Sequence, residues 1–295
     1  MEGISAAPVA RPPRLALVLG SGGIKCVAAL GLFRVLAREK IPVDFIAASS
    51  GGAVFAAAYA LHPDDLGKIE GFLWTYWKPE IFRDFDYVGL LGAMLRPRAR
   101  PIERFGFIKG RRILRTLNAM FREKTFSDAR IPLKIAATDI RTGRPVVLQE
   151  GRLSRAVRAS VSLPIYMRPV RWGKALLVDG GMTNPLPCDI ASAEGARVIL
   201  AMSFGASLET PLNTPLQLLH QIVRVSSSNL IRVQDDLHRS THRGEIIGIS
   251  PAFEHVHSFF NFHTMKEIIA LGEEASEAVL PRIREALRGP RTASR

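Results

Sequence analysis

Residues 15–61 read LALVLGSGGIKCVAALGLFRVLAREKIPVDFIAASSGGAVFAAAYAL, and this stretch decides the fold class. Residues 15–19 form a short apolar run that predicts a strand buried on both faces, and helical spacing follows the glycine-rich turn. A second predicted strand over 43–48 and a second helix over 52–61 repeat the same order. Two strand–turn–helix units in succession predict an α/β fold, with a mainly parallel sheet covered by helices.

The remainder of the chain extends this pattern. Further strands are predicted at 133–139, 145–148, 175–178 and 198–202, and further helices at 153–160, 216–243 and 265–287, the last kinked or split at Pro281. No repeat and no Pro-, Gly- or Ser-rich linker divides the chain. We therefore expect one domain over 14–288, with a mostly helical, basic cap region at about 63–125. A disordered leader at 1–13 and a disordered tail at 289–295 would flank it.

Composition limits the class of protein. The chain has 295 residues, of which 47% are hydrophobic and 23% charged, as in an ordinary globular protein. Cys26 and Cys188 are too few for a disulfide framework or a four-cysteine zinc site. The N-terminal residues lack the apolar stretch of a signal peptide, and the longest low-polarity run, at 45–61, is short and interrupted by serine and glycine. These features predict a cytoplasmic protein whose membrane contact, if any, is peripheral.

The charge is unusual, because 40 Lys and Arg stand against 27 Asp and Glu, a net charge of +13. Residues 96–124 hold ten of the basic side chains and only two acidic ones, so this segment carries +8 of that excess. Apolar side chains interleave with the basic ones, as in helices that lie on anionic lipid. The alternative is a solvated charged face over core residues. Nucleic acid is not expected as a partner, since no RRM, helix-turn-helix or zinc-finger pattern accompanies the charge.

Three loops that could carry chemistry follow predicted strands, the place where open α/β sheets put their sites. The first, GSGGIK at 20–25, could aim backbone N–H groups and a helix N-terminus at a phosphate or a developing oxyanion. A plain tight turn is the alternative. A dinucleotide fingerprint would need glycine at Lys25, and the P-loop pattern is absent, so a Rossmann-type nucleotide protein is only a third candidate.

The second and third loops offer a nucleophile and an acid. Residues 48–52 read ASSGG and predict a nucleophile elbow, a sharp strand-to-helix turn that presents a serine. Ser49 and Ser50 both have a glycine two residues later, but Ser50 fits better as the last residue before the helix. Either serine could instead be a simple N-cap. Asp179 ends a predicted strand before two glycines, and it could hold its carboxylate over a neighbouring loop or form an ordinary Asp-Gly turn.

Histidine does not complete a catalytic triad in this pattern. Six histidines follow Asp179 in the chain: His220, His238, His242, His255, His257 and His263. We expect the first three on the solvated face of the predicted long helix and the last three in a partly buried loop. The sequence HRSTH at 238–242 lacks the glutamate of H-E-x-x-H. No metal site is therefore expected, and a role of the last three histidines as ligands or as a base is the alternative.

Taken together, the three loops resemble the patatin-like phospholipase family, which carries G-G-G-x-[RK]-G, G-x-S-x-G and D-G-[GA] in this order. The corresponding residues here are SGGIKC at 21–26, ASSGG at 48–52 and DGG at 179–181. The stretch at 158–164 resembles the serine–proline block of that family, and Thr138-Asp139 with Thr142-Gly143 resembles its central strand pair. The resemblance runs from about residue 15 to 287 and implies a three-layer α/β/α fold with a mainly parallel central sheet.

The resemblance also implies roles for individual residues. Ser50 would be the nucleophile and Asp179 its partner in a Ser–Asp dyad, without histidine, metal or cofactor. The amides of Gly22, Gly23 and Ile24 would form the oxyanion hole, and Lys25 would anchor their loop. Gly52, Gly180 and Gly181 would support the motifs. The implied activity is hydrolysis of phospholipids or other lipid esters at an anionic membrane surface, with head group, acyl chain and oligomeric state left open.

Three positions depart from the family pattern. Ser21, Cys26 and Ala48 stand where the family mostly has glycine. A left-handed backbone at any of them would be strained by the added Cβ. The alternative function is therefore a weakly active or non-catalytic lipid-binding or regulatory protein with the same fold.

Overall fold

A mixed eight-stranded sheet lies at the centre of the computed structural model, which describes residues 14–87, 105–205, 212–253 and 262–288. The predicted leader and tail, and residues 96–104 of the basic segment, lie outside the described residues. The strands are β1 (Leu15–Leu19), β2 (Phe45–Ser49), β3 (Leu133–Asp139), β4 (Arg144–Leu148), β5 (Val170–Trp172), β6 (Ala175–Asp179), β7 (Val198–Met202) and β8 (Glu245–Ile249). Their order is β5-β6-β3-β2-β1-β7-β8, with β4 also paired to β3.

Helices cover both faces of this sheet. They are α1 (Ala29–Arg38), α2 (Gly51–Leu61), α3 (Leu66–Tyr76), α4 (Arg111–Phe121), α5 (Leu153–Ser160), α6 (Cys188–Ala193), α7 (Pro215–Thr241), α8 (Met265–Ala278) and α9 (Leu280–Arg288). Side chains of β1 alternate between two apolar cores, since Leu17 packs with α1, α2 and α8 while Val18 packs with α6. The expected three-layer α/β/α arrangement is therefore confirmed.

The observed bounds of helices and strands agree with the predicted bounds where a buried apolar run ends at a residue that breaks regular structure. The bounds of β1, β3, β7 and α5 match the predicted ones. The segment after the first glycine loop differs, because residues 23–28 form a 3₁₀ turn before α1 begins. The last predicted helix is split, as expected, and the break falls at Val279, two residues before Pro281.

Strand β6 runs antiparallel to its neighbour β3, so the three loops do not all follow strands of one parallel sheet, as had been expected. Strands β1, β2, β3, β7 and β8 are parallel, but β6 runs antiparallel to β3 and β5 antiparallel to β6. Asp179 therefore does not share the carboxyl edge of a fully parallel sheet. It comes level with the elbow through register instead, because Ala136 pairs with Ser49 on one side while Ala137 pairs with Asp179 on the other.

The described part of the basic segment places its apolar side chains in the core. On α4, Ile113 and Leu117 are buried, whereas Arg111, Arg112 and Arg115 are exposed. This helix thus has the solvated charged face of the alternative interpretation, over a buried apolar face. Within the described ranges, no helix combines the length and the apolar character that crossing a membrane requires.

Candidate active site

Ser50 occupies a sharp turn between β2 and α2. Its φ of 54° and ψ of −130° lie in a left-handed region that non-glycine residues rarely adopt. Its backbone N–H donates to Ser160 Oγ at 2.8 Å, and that hydroxyl donates to the carbonyl of Ala136 at 2.7 Å. Ser160 thus fastens the turn to β3. Strained backbone held by such contacts is typical of functional sites.

The Ser50 hydroxyl donates a hydrogen bond to Asp179 Oδ2 at 2.6 Å. The other carboxylate oxygen, Oδ1, accepts the backbone N–H of Gly181 at 2.7 Å. The main chain of Asp179 is held as well, since its N–H donates to the Ser162 carbonyl at 2.9 Å and its carbonyl accepts the Thr138 hydroxyl at 2.9 Å. The carboxylate is therefore oriented before any substrate arrives.

Burial changes the acidity of this carboxyl group. Asp179 is only 5% exposed, and its removal from water raises its pKa to about 6. Hydrogen bonds from Ser50 and Gly181 stabilise the ionised form and partly oppose this rise. A carboxylate with a pKa near 6 is a stronger base than an ordinary aspartate and is still ionised at neutral pH.

Ser49 lies on the other side of the strand end. Its side chain is fully buried, and a Cβ built on Gly180 would lie 2.6 Å from Ser49 Oγ. This hydroxyl has no hydrogen-bond partner among the described residues and does not line the cavity beside Ser50. The two serines, which have the same spacing to a glycine, thus have different surroundings, and of the two hydroxyls the one that meets Asp179 is that of Ser50, as predicted from the turn.

The glycine-rich loop packs directly against the elbow. Gly22, Gly23 and Ile24 line the same cavity as Ser50. Gly23 has a φ of 58°, and a Cβ on Gly51 would lie only 2.7 Å from its carbonyl oxygen. Glycine at these positions allows the close approach of loop and elbow. The loop that is predicted to form an oxyanion hole therefore lines the same cavity as Ser50.

The three departures from glycine cause no left-handed strain. Ser21, Cys26 and Ala48 are not among the non-glycine residues with positive φ in the described ranges. The Ser21 hydroxyl donates to the Pro185 carbonyl at 2.9 Å, and the Cys26 thiol donates to the Gly20 carbonyl at 3.6 Å. Burial, followed by the charge of the nearby aspartate, raises the pKa of that thiol, so it stays protonated. These side chains fit the loop rather than distort it.

Lys25, predicted to anchor the loop, is buried. Its ammonium lies 5.1 Å from the ring centroid of Phe253, which follows β8. A cation over an aromatic face is favourable, especially away from water. The contact joins the glycine-rich loop to the segment that follows β8, the strand at one edge of the sheet.

Sequence reasoning missed a buried arginine that links the cap region to the acid. Arg158 on α5 donates from Nε to the Gly110 carbonyl at 3.2 Å and from Nη2 to the Arg168 carbonyl at 3.1 Å. It also donates to Ser162 Oγ, and the Ser162 carbonyl accepts the N–H of Asp179. Burial lowers its pKa to about 10. The only available signal was that Arg158 begins the stretch at 158–164, which resembles the serine–proline block of the family.

A cavity of about 190 Å³ opens beside the Ser50 hydroxyl. Asp179 and the glycine-rich loop form its floor. Its remaining walls are mostly apolar and come from the cap region, α4, the 161–167 stretch and α7; they include Trp77, Phe82, Ile108, Ile113, Leu163 and Val223. An apolar cavity with a few converging polar groups is the usual form of a small-molecule site.

None of the histidine side chains that the structure describes lines this cavity. His238 is buried rather than on the solvated face of α7, so that expectation was wrong; the helix turns this side chain inward. His242 Nδ1 lies 2.9 Å from Ser192 Oγ, and its pKa is lowered by burial and by His238. His255 and His257 lie outside the described residues. The described ranges contain no group of three His, Cys, Asp or Glu side chains suited to a metal ion, and the expectation of a metal-free protein stays a prediction.

Comparison with known proteins points to one family. The patatin-like phospholipase family model matches residues 17–192. Patatin-like phospholipase domain-containing protein 7 of Rattus norvegicus is 33% identical over 201 residues, which are 67% of this chain and 14% of that protein. An NTE family protein of Mycobacterium tuberculosis is 28% identical over 221 residues, 73% of this chain and 57% of that protein. The chain thus spans from a seventh to just over half of the length of these relatives.

Among solved structures, VipD from Legionella pneumophila covers 92% of this chain and 67% of its own, with 13% identity and a TM-score of 0.47. The family model spans more than half of the chain and includes the glycine-rich loop, the elbow and Asp179. The chain belongs to the patatin-like phospholipase family.

Proposed function

We propose that this protein is a lipid acyl hydrolase that cleaves carboxylic esters through a Ser50–Asp179 dyad. The observation that carries the proposal is the 2.6 Å hydrogen bond from the Ser50 hydroxyl to Asp179 Oδ2, on the floor of an apolar cavity beside the glycine-rich loop. Family membership supports the same reaction class. No step needs a histidine, a metal or a cofactor.

In the first half of the reaction, Ser50 Oγ attacks the ester carbonyl while Asp179 takes the hydroxyl proton. Amides of Gly22, Gly23 and Ile24 stabilise the negative charge that develops on the carbonyl oxygen. The proton then passes from Asp179 to the leaving alcohol, and an acyl–Ser50 ester remains. The raised pKa of Asp179, about 6, reduces the difference in pKa between this base and the serine hydroxyl.

In the second half, a water molecule attacks the acyl–enzyme, and Asp179 accepts a proton from that water. The proton returns to Ser50 Oγ as the fatty acid leaves, which restores the starting state. Asp179 serves as the base in both halves from one position, because the Gly181 N–H holds its other carboxylate oxygen. Ser160 and Arg158 act in this scheme as positioning residues, since they hold the elbow and the backbone around Asp179.

We take a phospholipid or a related lipid ester as the substrate class and a cytoplasmic membrane surface as the place of action. The apolar walls suit an acyl chain. The alternative, a lipid-binding protein that hydrolyses little, rested on strain at Ser21, Cys26 and Ala48. It loses that support because none of the three has positive φ.

A fluorophosphonate probe tests the nucleophile directly. The wild-type protein should be labelled at Ser50, and Ser50→Ala should not be labelled, because the probe phosphonylates only an activated serine. Ser49→Ala is the matched control and should be labelled like the wild type. Intact-mass and peptide mass spectrometry give the readout. Loss of labelling in Ser49→Ala alone, or no labelling of the wild type, would contradict the proposal.

The pH profile should report the acid of the dyad. We expect kcat/KM with a water-soluble ester to be level above pH 7 and to fall about tenfold per pH unit below about 6, because Asp179 must be ionised to accept the proton. Circular dichroism at each pH checks that the fold persists. A profile still level at pH 5 would argue against Asp179 as the base.

A further inference from the structure

We propose that Arg224 of α7 binds the phosphate of a lipid head group and makes the site selective for anionic esters. Arg224 is only 7% exposed, and it lines the cavity that holds Ser50. The inference rests on the proposed function for the reaction, and it adds which esters the site prefers. Binding of the phosphate does not require hydrolysis and is tested separately.

The charged side chains of the cavity leave it with a net positive charge. Among the described residues that line it, the charged ones are Lys25, Asp179 and Arg224. Two cations thus stand against one carboxylate when Asp179 is ionised, and both cations are buried. A cation at a buried, mostly apolar wall attracts an anion more strongly than a cation at the surface does. The cavity therefore favours an ester that also carries a negative group.

Of the two cations, Arg224 is better suited to hold a phosphate. The Lys25 ammonium lies 5.1 Å from the ring centroid of Phe253, a contact that fixes the glycine-rich loop. Arg224 also interacts within the chain, but its guanidinium has five N–H donors in a planar fork. It can therefore bind two oxygens of a phosphate while other donors stay bonded to the protein. An ammonium group offers no such fork.

Arg224 belongs to the side of α7 that faces the cavity. The residues of this helix that line the cavity have the spacing of one helix face, and they are Val223, Arg224, Ser227, Ser228 and Ile231. Ser228 lies one turn beyond Arg224, and its hydroxyl can donate to a phosphate oxygen beside the guanidinium. This face therefore offers a charged fork and a neutral donor to one anionic group.

Hydrogen bonds connect this face of α7 to the dyad. The Ser227 hydroxyl donates to the Gly181 carbonyl at 3.3 Å, and the Gly181 N–H donates to Asp179 Oδ1 at 2.7 Å. Arg224 precedes Ser227 by three residues, or about 4.5 Å along the helix axis. A ligand that reaches both Ser50 and Arg224 therefore needs an ester and an anionic group only a few bonds apart. Acyl ester and phosphate have this relation in a glycerophospholipid.

Two soluble esters that differ only in the phosphate test this assignment. They are 1-octanoyl lysophosphatidic acid and 1-octanoylglycerol, used as monomers so that no lipid surface contributes. The wild type should hydrolyse the phosphate ester with a kcat/KM about 30-fold higher, and Arg224→Gln should remove most of this preference, because it removes hydrogen bonds to a charged group. The loss should lie mainly in KM, since the phosphate does not change during the reaction. Arg224→Lys should keep part of the preference through its charge.

Arg232→Gln is the matched control, because it removes the same charge from the same helix. Arg232 is exposed and does not line the cavity, so this variant should keep the wild-type preference. If Arg224→Gln slows both esters by the same factor, the role of Arg224 is structural. If Arg232→Gln loses as much preference as Arg224→Gln, the net charge of the protein is the cause. Either result, or a wild type without preference, would overturn the proposal.

Binding measurements separate this inference from the proposed function. In a Ser50→Ala background, calorimetric titration should show the phosphate ester binding about 30-fold more tightly than the neutral ester, and Arg224→Gln should remove the difference. Inorganic phosphate that binds as tightly as the phosphate ester would indicate a site for free phosphate and would overturn the head-group assignment.

The two proposals can therefore fail independently. A protein that shows this difference in binding but hydrolyses neither ester would contradict the hydrolase and uphold the role of Arg224. Equal binding and equal hydrolysis of the two esters would contradict the role of Arg224 and uphold the hydrolase.

Discussion

Asp179→Asn should abolish ester hydrolysis and, at neutral pH, make the protein more stable. Removing the acid partner of an activated serine costs on the order of 10³-fold or more in kcat, because Asp179 is the base that accepts the hydrogen bond of the Ser50 hydroxyl. The folded protein becomes more stable because the substitution removes a buried negative charge. The pKa of Asp179 rises from 3.8 to about 6 on folding, and two pKa units correspond to roughly 3 kcal/mol.

The sign of the stability change depends on pH. Below about pH 4 both the folded and unfolded wild-type chains carry the proton on Asp179, and the variant gains nothing. Between pH 4 and about 6 only the folded chain keeps the proton, so wild-type stability falls as the pH rises. Above about pH 6 the buried carboxylate is charged, and the full difference in stability between the variant and the wild type is present.

Thermal or chemical unfolding at pH 4 and pH 7.5 measures this effect. The asparagine Oδ1 can still accept the Gly181 N–H, and its Nδ2 can donate to Ser50 Oγ in place of the hydrogen bond that the Ser50 hydroxyl donated, so the geometry should persist. We expect an increase of about 2–3 kcal/mol in the free energy of unfolding at pH 7.5 and little change at pH 4. A variant that is less stable at both pH values, or that still hydrolyses esters, would contradict the assignment.

Gly52→Ala should damage both the fold and the site. A Cβ on Gly52 would lie 2.4 Å from the carbonyl oxygen of Gly20 and 2.6 Å from that of Leu19. Both atoms belong to the backbone at the end of β1, so α2 or the strand must move. We expect a loss of about 3 kcal/mol in the free energy of unfolding. In the folded fraction, a shift of Ser50 near 1 Å would lower kcat about 100-fold.

Gly71→Ala provides the control for this substitution. Gly71 lies within α3, and a Cβ there would meet nothing within 4 Å. Alanine in an exposed helix interior is more favourable than glycine by about 0.5–1 kcal/mol. Denaturant unfolding of the two variants should therefore move in opposite directions, with activity changed only in Gly52→Ala. Equal stability of the two variants would show that the elbow is not as tightly packed as the contacts indicate.

Much of the fold could be predicted from local sequence, because a buried apolar run bounded by a breaker identifies a strand. Residues 15–19 before Gly20 and 198–202 are examples, and their bounds match the structure. The short β5, at 170–172, was not predicted because three partly exposed residues are too few to show an alternation of buried and exposed side chains. The direction of β6 was not predictable, because it depends on how the chain returns from α5 and not on the residues of the strand.

The candidate site divides in the same way. The elbow and the Asp-Gly-Gly turn have local signatures, so the sequence predicts Ser50 and Asp179 as candidate site residues. Arg158 and Ser160 lie in the stretch that resembles the serine–proline block, but the sequence does not predict their contacts, because their partners are carbonyls and amides brought near by tertiary folding. Periodicity likewise predicted α4 as amphipathic, but it could not tell whether its apolar face would meet lipid or the core.

The position of β1 in the sheet has a consequence for how the chain is synthesised. One neighbour of this central strand, β2, begins at Phe45, but the other, β7, begins at Val198, which pairs with Leu15. A growing chain therefore exposes one unpaired edge of an apolar strand until residues 198–202 have left the ribosome. Such an edge can pair with other chains, so the protein is most prone to aggregation while it is being made.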